Sequence, residues 1–253
     1  LVIPEPSKAE ALRVGDRAAR GFPRLYVDAD VELSWRDVRV LAAALDEAGV
    51  LASAPERIIP MTEVSWAVRA YYAVWQELPR VRSGLFGRGV IAVSEAGHRR
   101  IATLPDCLSD DLVLSEAFAA DERTLDTGAS VVVHPPRTWA DLIRRRIRAM
   151  TGNEQARSLG LASYAARTTS ADLRGLAVRR PALLPKIAVF LAATIAARRG
   201  ARAARRRGDY TSWLRDESSR RVEPPSGERG SLLNRVKGTP ARDSASGPAR
   251  APR

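Results

Sequence analysis

Apolar residues form four short runs bounded by turn residues, a pattern that is typical of strands. The predicted strands are Leu25–Val27, Val50–Ala54, Val90–Ser94 and Ala129–His134. Between them, longer stretches repeat their apolar positions at helical spacing; they are Ser7–Ala19, Ser34 to Gly49, Ser65–Leu78, Ala96–Ile101, and the stretches that begin at Ser109 and Thr138. With 253 residues and 45% hydrophobic content, the chain is long enough for one α/β domain plus an appendage.

Three of the predicted helices begin with a hydroxyl side chain that is followed three residues later by an acid, the spacing of a capping box. The pairs are Ser7 with Glu10, Ser34 with Asp37, and Thr138 with Asp141. Pro79–Gly89 is predicted to be a loop, with three glycines beside three arginines. Glycines allow close approach of the backbone and arginines attract anions, although an ordinary connection has the same composition.

Two carboxylates, Asp28 and Asp30, follow the strand Leu25–Val27, just before Ser34 opens a helix. In open α/β sheets, ligands bind where strands end in this way. Two carboxylates so close together favour a positive charge between them, and a divalent cation that carries a diphosphate is the usual candidate. The alternative is that both residues only finish the strand and cap a turn.

A second acidic pair, Asp110 and Asp111, lies in the first turn of the helix predicted to begin at Ser109. The helix dipole alone favours acids at this position, so the pair has a purely structural explanation. The chain has only two histidines, His98 and His134, and we therefore do not expect a histidine-based zinc site.

The net charge of +12 resides entirely in the C-terminal part of the chain. Residues 1–178 carry 23 basic and 23 acidic side chains, whereas residues 179–253 carry 18 basic and 6 acidic ones. A nucleic-acid partner is therefore not expected for the predicted domain, since its own charges cancel. The single cysteine, Cys107, excludes an intrachain disulfide.

Pro181–Ala197 is apolar apart from Lys186, and a cluster of arginines follows it. Seventeen residues are at the lower limit for spanning a bilayer, so an interfacial or re-entrant helix and a buried core helix remain alternatives. After Val222 the sequence consists mainly of Pro, Gly, Ser and Arg, a composition that is typical of disorder.

The order of several motifs resembles family 2 glycosyltransferases of the GT-A fold. The motifs are S-K-A-E-A-L-R, Y-V-D-A-D-V, G-V-I-A-V-S, L-S-D-D-L-V-L and R-R-I-R-A-M-T-G, and together they extend from Lys8 to Asn153. The resemblance implies a mixed sheet flanked by helices. It also implies that the first strands of the fold precede Leu1, so that the domain is truncated at its N-terminus.

The resemblance implies a role for six residues. Asp28 and Asp30 would coordinate Mg²⁺ or Mn²⁺, and Asp111 would be the catalytic base. Residues that would bind the substrate are Lys8, Asp28, Asp110 and Arg148. Arg145 and Ala149 stand where processive synthases of the family have Gln and Trp, which favours the addition of a single sugar.

The implied reaction moves a sugar from a nucleotide-sugar donor to a hydroxyl of a glycan or a lipid-linked acceptor, with inversion at the anomeric carbon. One alternative is a nucleotidyltransferase, which uses paired acids and a metal on a similar sheet. Another is a non-catalytic module that binds membranes or nucleic acid through its arginines.

The expected organisation is a catalytic domain in residues 1–155, a membrane-associated helical segment in 156–221 and a disordered basic tail in 222–253. Because sugar nucleotides are cytosolic, the domain is expected at the cytoplasmic face of the cell membrane. The arginines after the apolar stretch agree with that side.

Overall fold

The structure, a computed structural model, describes residues 2–4, 7–105, 110–161 and 168–206. Within them, a five-stranded mixed sheet is flanked by helices, which confirms the predicted α/β class. The predicted capping role of Ser109 and the predicted disordered tail after Val222 lie outside the described residues.

Of the helices in the described part, six begin within one residue of a predicted start. The helices are α1 (Lys8–Ala18), α2 (Trp35–Ala43), α3 (Trp66–Trp75), α4 (Pro79–Ser83), α5 (Glu95–Ile101), α6 (Asp110–Glu116), α7 (Trp139–Ser158), α8 (Ser170–Arg179) and α9 (Leu184–Arg206). α8 lies in the segment 156–221 that is expected to be helical but has no predicted start, and α9 begins three residues after Pro181. α4 lies in the stretch that the sequence predicts to be a loop. Pro79 opens this helix, because its fixed φ suits the first helical turn.

Five strands form the sheet in the order β1-β4-β3-β5-β2. The strands are β1 (Arg24–Val27), β2 (Val31–Glu32), β3 (Ala52–Ile58), β4 (Val90–Val93) and β5 (Arg123–Val133). β4 is antiparallel to β1 and β3, and β3 is parallel to β5, so β1, β3 and β5 all run in one direction. Their carboxyl ends and the start of β4 therefore lie at one edge, which we call the carboxyl edge.

β3 and β4 separate soon after they begin to pair. Only Ala52 and Ser53 of β3 pair with β4, whereas the whole of β3 pairs with β5 across a bulge after Pro55. The guanidinium of Arg88 lies beyond the last β3–β4 pair, where its Nη1 donates a hydrogen bond to the carbonyl oxygen of Pro55 at 2.8 Å. A side chain thus supplies the donor that a neighbouring strand would supply in a regular sheet.

The predicted capping pairs act as expected, and one of them also joins a helix to the sheet. Ser34 and Asp37 form a complete capping box at the start of α2. The second carboxylate oxygen of Asp37 accepts a hydrogen bond from the N–H of Ser130 in β5 at 2.9 Å. Hydrogen bonds from Ser34 and Ser130 lower the pKa of Asp37, so the cap is ionised and fixes α2 against β5.

The largest core lies between helices that the sequence assigns to different parts of the chain. Tyr71 of α3 is 1% exposed, and its ring stacks on Phe190 of α9 with 5.2 Å between the ring centroids. Ile187 of α9 and Leu142 of α7 belong to the same cluster. We call α3, α7, α8 and α9 the helical layer. The boundary predicted after residue 155 falls inside α7, and α9 packs on the domain that precedes it.

One helical stretch of the described residues, Pro181–Arg206, is long and apolar enough to cross a membrane. Core helices of soluble proteins can meet the same criterion. In this chain α9 buries Ile187, Phe190 and Ala193 against the rest of the protein, while Leu191 and Ile195 are 42% and 50% exposed. The helix therefore has one face in the core and another, partly apolar face in solvent.

Candidate active site

Asp28 is the first residue after β1, at the carboxyl edge. Its backbone N–H donates a hydrogen bond to the carbonyl oxygen of Gly89, with 2.7 Å between N and O. Its Oδ1 lies 2.7 Å from Nζ of Lys8, the first residue of α1. Both side chains are 38% exposed, so the pair can be reached from solvent. Two predicted site residues that are 20 positions apart in the sequence are thus in direct contact.

Gly89 meets two conditions that a larger residue would violate. Its φ of +68° is in the left-handed region, which L-residues with a side chain rarely adopt. A Cβ at this position would also lie 2.5 Å from Cγ1 of Val31 and 3.4 Å from Oδ2 of Asp28. The backbone of Gly89 can therefore approach the Asp28–Val31 turn closely only because Gly89 has no side chain.

Asp111 is fixed by two backbone N–H groups. Its Oδ2 accepts a hydrogen bond from Gly87 at 2.9 Å, and its Oδ1 accepts one from Leu112 at 2.8 Å. Gly87 and Gly89 belong to one short segment, Gly84–Gly89, which we call the glycine loop. The loop contacts the Asp28 backbone with one glycine and the Asp111 carboxylate with another, and so connects the two acidic pairs.

Two arginines that are not among the predicted site residues, the buried Arg88 and the half-buried Arg57, support the glycine loop. Arg88, 3% exposed, donates a hydrogen bond to the carbonyl oxygen of Gly84 in addition to that of Pro55. Arg57 of β3 donates to the carbonyl oxygen of Phe86 at 3.2 Å and lies over the ring of Trp75 at 4.7 Å. Burial lowers the pKa of Arg57 to about 9 and that of Arg88 to about 10, so both are charged at neutral pH.

The expectation that the loop arginines attract anions does not hold for Arg88. Its guanidinium points inward and donates its hydrogen bonds to main-chain carbonyls of α4, of the glycine loop and of β3. A glycine on each side of Arg88 is the one sequence signal for this arrangement, because a side chain that turns under its own loop needs a flexible backbone there. Nothing in the sequence around Arg57 distinguishes it from an exposed strand residue.

The remaining predicted residues lie on three different elements. Asp30 is exposed in the turn between β1 and β2, and its carboxylate makes no hydrogen bond or ion pair with the part of the chain that the structure describes. Asp110 is the first described residue of α6, and its side chain is not among the described ones. Arg148 lies half-buried in α7.

Neither the models of protein families nor the curated proteins contain a match to this chain. Within the described residues, no group of three or more His, Cys, Asp or Glu side chains could hold a metal. Magnesium often takes only one or two carboxylates and completes its shell with substrate phosphates and water, so such a group is not required.

The arrangement at the carboxyl edge separates two chemical capacities. Each oxygen of Asp111 accepts one backbone N–H bond, so the carboxylate is held in a defined orientation. Asp28 and Asp30 place carboxylate oxygens within three residues of the end of β1, and Lys8 supplies a positive charge beside Asp28. The Asp111 carboxylate and the turn that carries Asp28 and Asp30 thus contact the same glycine loop.

Proposed function

We propose that this protein is a glycosyltransferase of the GT-A type that moves a sugar from a nucleotide-sugar donor to an acceptor hydroxyl. The observation that carries the proposal is the glycine loop, which contacts Asp28 through Gly89 and Asp111 through Gly87. Sugar transfer needs a base on one face of the anomeric carbon and charge neutralisation at the leaving diphosphate on the other. The two acidic sites would meet these two needs from positions two residues apart on one short loop.

Asp111 is the proposed catalytic base. Its carboxylate would accept the proton of the acceptor hydroxyl as the oxygen bonds to the anomeric carbon and the bond to the diphosphate breaks. One direct displacement inverts the configuration at that carbon. The N–H groups of Gly87 and Leu112 hold the carboxylate in one orientation, which a positioned base requires.

Asp28 and Asp30 would hold Mg²⁺ or Mn²⁺. Their oxygens suit a hard cation, and the exposed carboxylate of Asp30 is available for one. The ion would supply positive charge to the departing diphosphate. Lys8 already contacts Asp28, and its flexible ammonium can also reach a phosphate oxygen. Asp110 and Arg148 are proposed to bind the substrate, with Arg148 as a fixed positive charge toward the diphosphate.

The proposed location is the cytoplasmic face of the cell membrane, with a glycan or lipid-linked acceptor. The exposed face of α9 supports it, because Leu184, Leu191 and Ile195 are followed along that face by arginines. A helix that buries its other face in the core would lie on a membrane surface rather than cross it. Apolar side chains would enter the interface while arginines contact anionic headgroups.

The test of the proposal is donor binding with and without Mn²⁺, measured by calorimetry over a panel of nucleotide sugars. Asp30→Asn should weaken the Mn²⁺-dependent affinity for the donor by about tenfold or more, since even indirect partners of a metal are worth ~10–100-fold. The Asp30 side chain is exposed and makes no hydrogen bond or ion pair with the described residues, so the melting temperature of Asp30→Asn should equal that of the parent protein.

The matched control is Asp121→Asn, which removes the same charge from an exposed position outside the site. The control should bind the donor like the parent protein. If Asp30→Asn and Asp121→Asn bind a donor equally well at every Mn²⁺ concentration, Asp30 holds no metal. If no nucleotide sugar on the panel binds at all, the proposed function is wrong for this chain.

A further inference from the structure

A cavity of about 600 Å³ opens within the helical layer. Its described walls come from α7, α8 and α9 and from the end of α3 with the following α4. Phe86 of the glycine loop also lies on the wall, directly before the residue whose N–H binds Asp111. The volume is in the range of ligand-binding pockets, and the cavity borders the candidate active site.

The charge of this cavity is strongly positive. Its lining includes one acid, Glu154, and six arginines, namely Arg80, Arg146, Arg157, Arg198, Arg202 and Arg205. Glu154 forms ion pairs with Arg157 at 2.6 Å and with Arg205 at 3.4 Å. Arg80 is paired with Glu116 outside the lining, but one carboxylate cannot balance the other five guanidinium groups, so the cavity favours an anion.

The arginines differ in depth. The side chain of Arg157 is 12% exposed, whereas Arg198 and Arg202 are exposed at the rim on α9. The Nε atoms of Arg146 and Arg157 are buried and have no hydrogen-bond partner among the described residues. Buried donors without an acceptor cost folding free energy. The guanidinium groups that line the cavity thus differ in how much of each side chain a ligand can reach.

The remaining wall is apolar and reaches the protein surface. Trp75, Phe86 and Phe190 line the inner part, and Leu191 and Ile195 of α9 line the outer part. Leu191 and Ile195 are 42% and 50% exposed although the same helix contributes to the core. An apolar wall that continues to solvent suits an apolar chain that enters from outside.

We infer that this cavity binds an anionic amphiphile, that is, a long apolar chain that ends in a phosphate or diphosphate. The head group contacts the arginines and the chain covers the apolar wall up to Leu191 and Ile195. If the proposed function holds, this amphiphile carries the acceptor, because Phe86 and Gly87 put the cavity next to Asp111. That last step rests on the proposed function, whereas the binding itself does not.

Dodecyl phosphate below its critical micelle concentration is a suitable probe, with dodecanol, inorganic phosphate and inorganic diphosphate as comparisons. Calorimetry should show that dodecyl phosphate binds at least about tenfold more tightly than any of the three, since charge and apolar wall both contribute. If either inorganic anion binds as tightly as dodecyl phosphate, the apolar wall adds nothing and the inference is wrong. If dodecanol binds as tightly as dodecyl phosphate, the arginines add nothing and the inference is also wrong.

Arg202 and Arg199 provide a matched pair of variants on α9. Both side chains are exposed, but only Arg202 lines the cavity. Arg202→Gln should weaken dodecyl phosphate binding by about fivefold to tenfold, whereas Arg199→Gln should leave it unchanged. Equal losses in both variants would show that a diffuse positive surface attracts the probe, which overturns the inference.

Arg146→Gln tests the inner part of the cavity. It should weaken binding at least as much as Arg202→Gln does, and its melting temperature identifies any loss that is due to unfolding. Donor binding should be the same in all three variants, because none of these arginines belongs to the carboxyl edge. Dodecyl phosphate binding without any donor binding would leave this inference standing and remove only the proposed function.

Discussion

The carboxyl edge and the helical layer hold charges of opposite sign, and they hold them in different ways. At the carboxyl edge, main-chain groups position the carboxylates, since Gly87 and Leu112 bind the side chain of Asp111 and Gly89 binds the backbone of Asp28. In the helical layer, the arginines that line the cavity extend from helices on long side chains. The contrast is between a rigid acidic site and an adjustable basic one.

This difference is informative because the two arrangements suit different tasks. A reaction depends on sub-ångström placement of its groups, which main-chain hydrogen bonds from a glycine loop can provide. Binding a flexible amphiphile depends on charge and apolar area, which movable arginines and an open apolar wall can provide. The net charge of +12 is therefore not one property of the protein, because its functional regions differ in sign.

The largest expected effect comes from Asp111 at the rigid site. Asp111→Asn should lower the transfer rate by about 10²-fold to 10⁴-fold, the usual worth of a positioned general base. Donor and metal affinity should change little, because the metal is assigned to Asp28 and Asp30. Single-turnover transfer and donor calorimetry on the same preparation measure both quantities.

A structural role for Asp111 makes a different forecast. An amide in place of the carboxylate would satisfy only one of the two N–H groups, which costs about 1–3 kcal/mol of stability. Transfer by the folded protein would then continue at the parental rate, and Asp111 would not be the base. Asp121→Asn again provides the control, since it should change neither rate nor melting temperature.

A smaller effect, on the free energy of unfolding, is expected when a methyl group is added to Gly89 at the carboxyl edge. Gly89→Ala should destabilise the protein by about 1–3 kcal/mol through its positive φ alone, and the contact with Val31 adds to this. Urea unfolding measures the change. Gly15 lies within α1, and a Cβ added there would have no neighbour within 4 Å. Gly15→Ala should instead stabilise the protein by about 0.5–1 kcal/mol. Equal effects at both positions would mean that Gly89 is not under constraint.

The smallest effect tests the helical layer as a membrane surface. Arg199→Gln should weaken binding to anionic vesicles by about 1 kcal/mol, close to fivefold, and binding should fall as salt rises. Cosedimentation with vesicles measures both. A truncation before α9 would be a poor test, because Phe190 packs on Tyr71 and its removal would open the core.

Arg36→Gln, an exposed arginine on α2, is the control for that experiment. It should bind vesicles as tightly as the parent protein. If Arg199→Gln and Arg36→Gln lose the same vesicle affinity, α9 does not contribute more to membrane binding than α2 does. The proposed membrane surface on α9 would then be wrong.

The elements could be predicted from the sequence because their causes are local. Ser34 and Asp37 are three residues apart, and the hydrogen bonds that start α2 need nothing from the rest of the chain. Asp28 and Asp30 could be predicted as candidate site residues in the same way, because an apolar strand followed at once by acids is visible in the sequence. Local patterns of this kind located the edge of the sheet and both acidic pairs.

Contacts between distant residues were decided only by the tertiary structure. That one glycine loop joins Asp28 to Asp111 depends on β4 pairing with β1, and that Arg88 turns inward depends on β3 leaving β4 after Ser53. The role of α9 is the clearest case, because its apolar composition fits a membrane span and a core helix equally well. Burial of Phe190 against Tyr71 depends on residues more than 100 positions away, and no local pattern encodes such a contact.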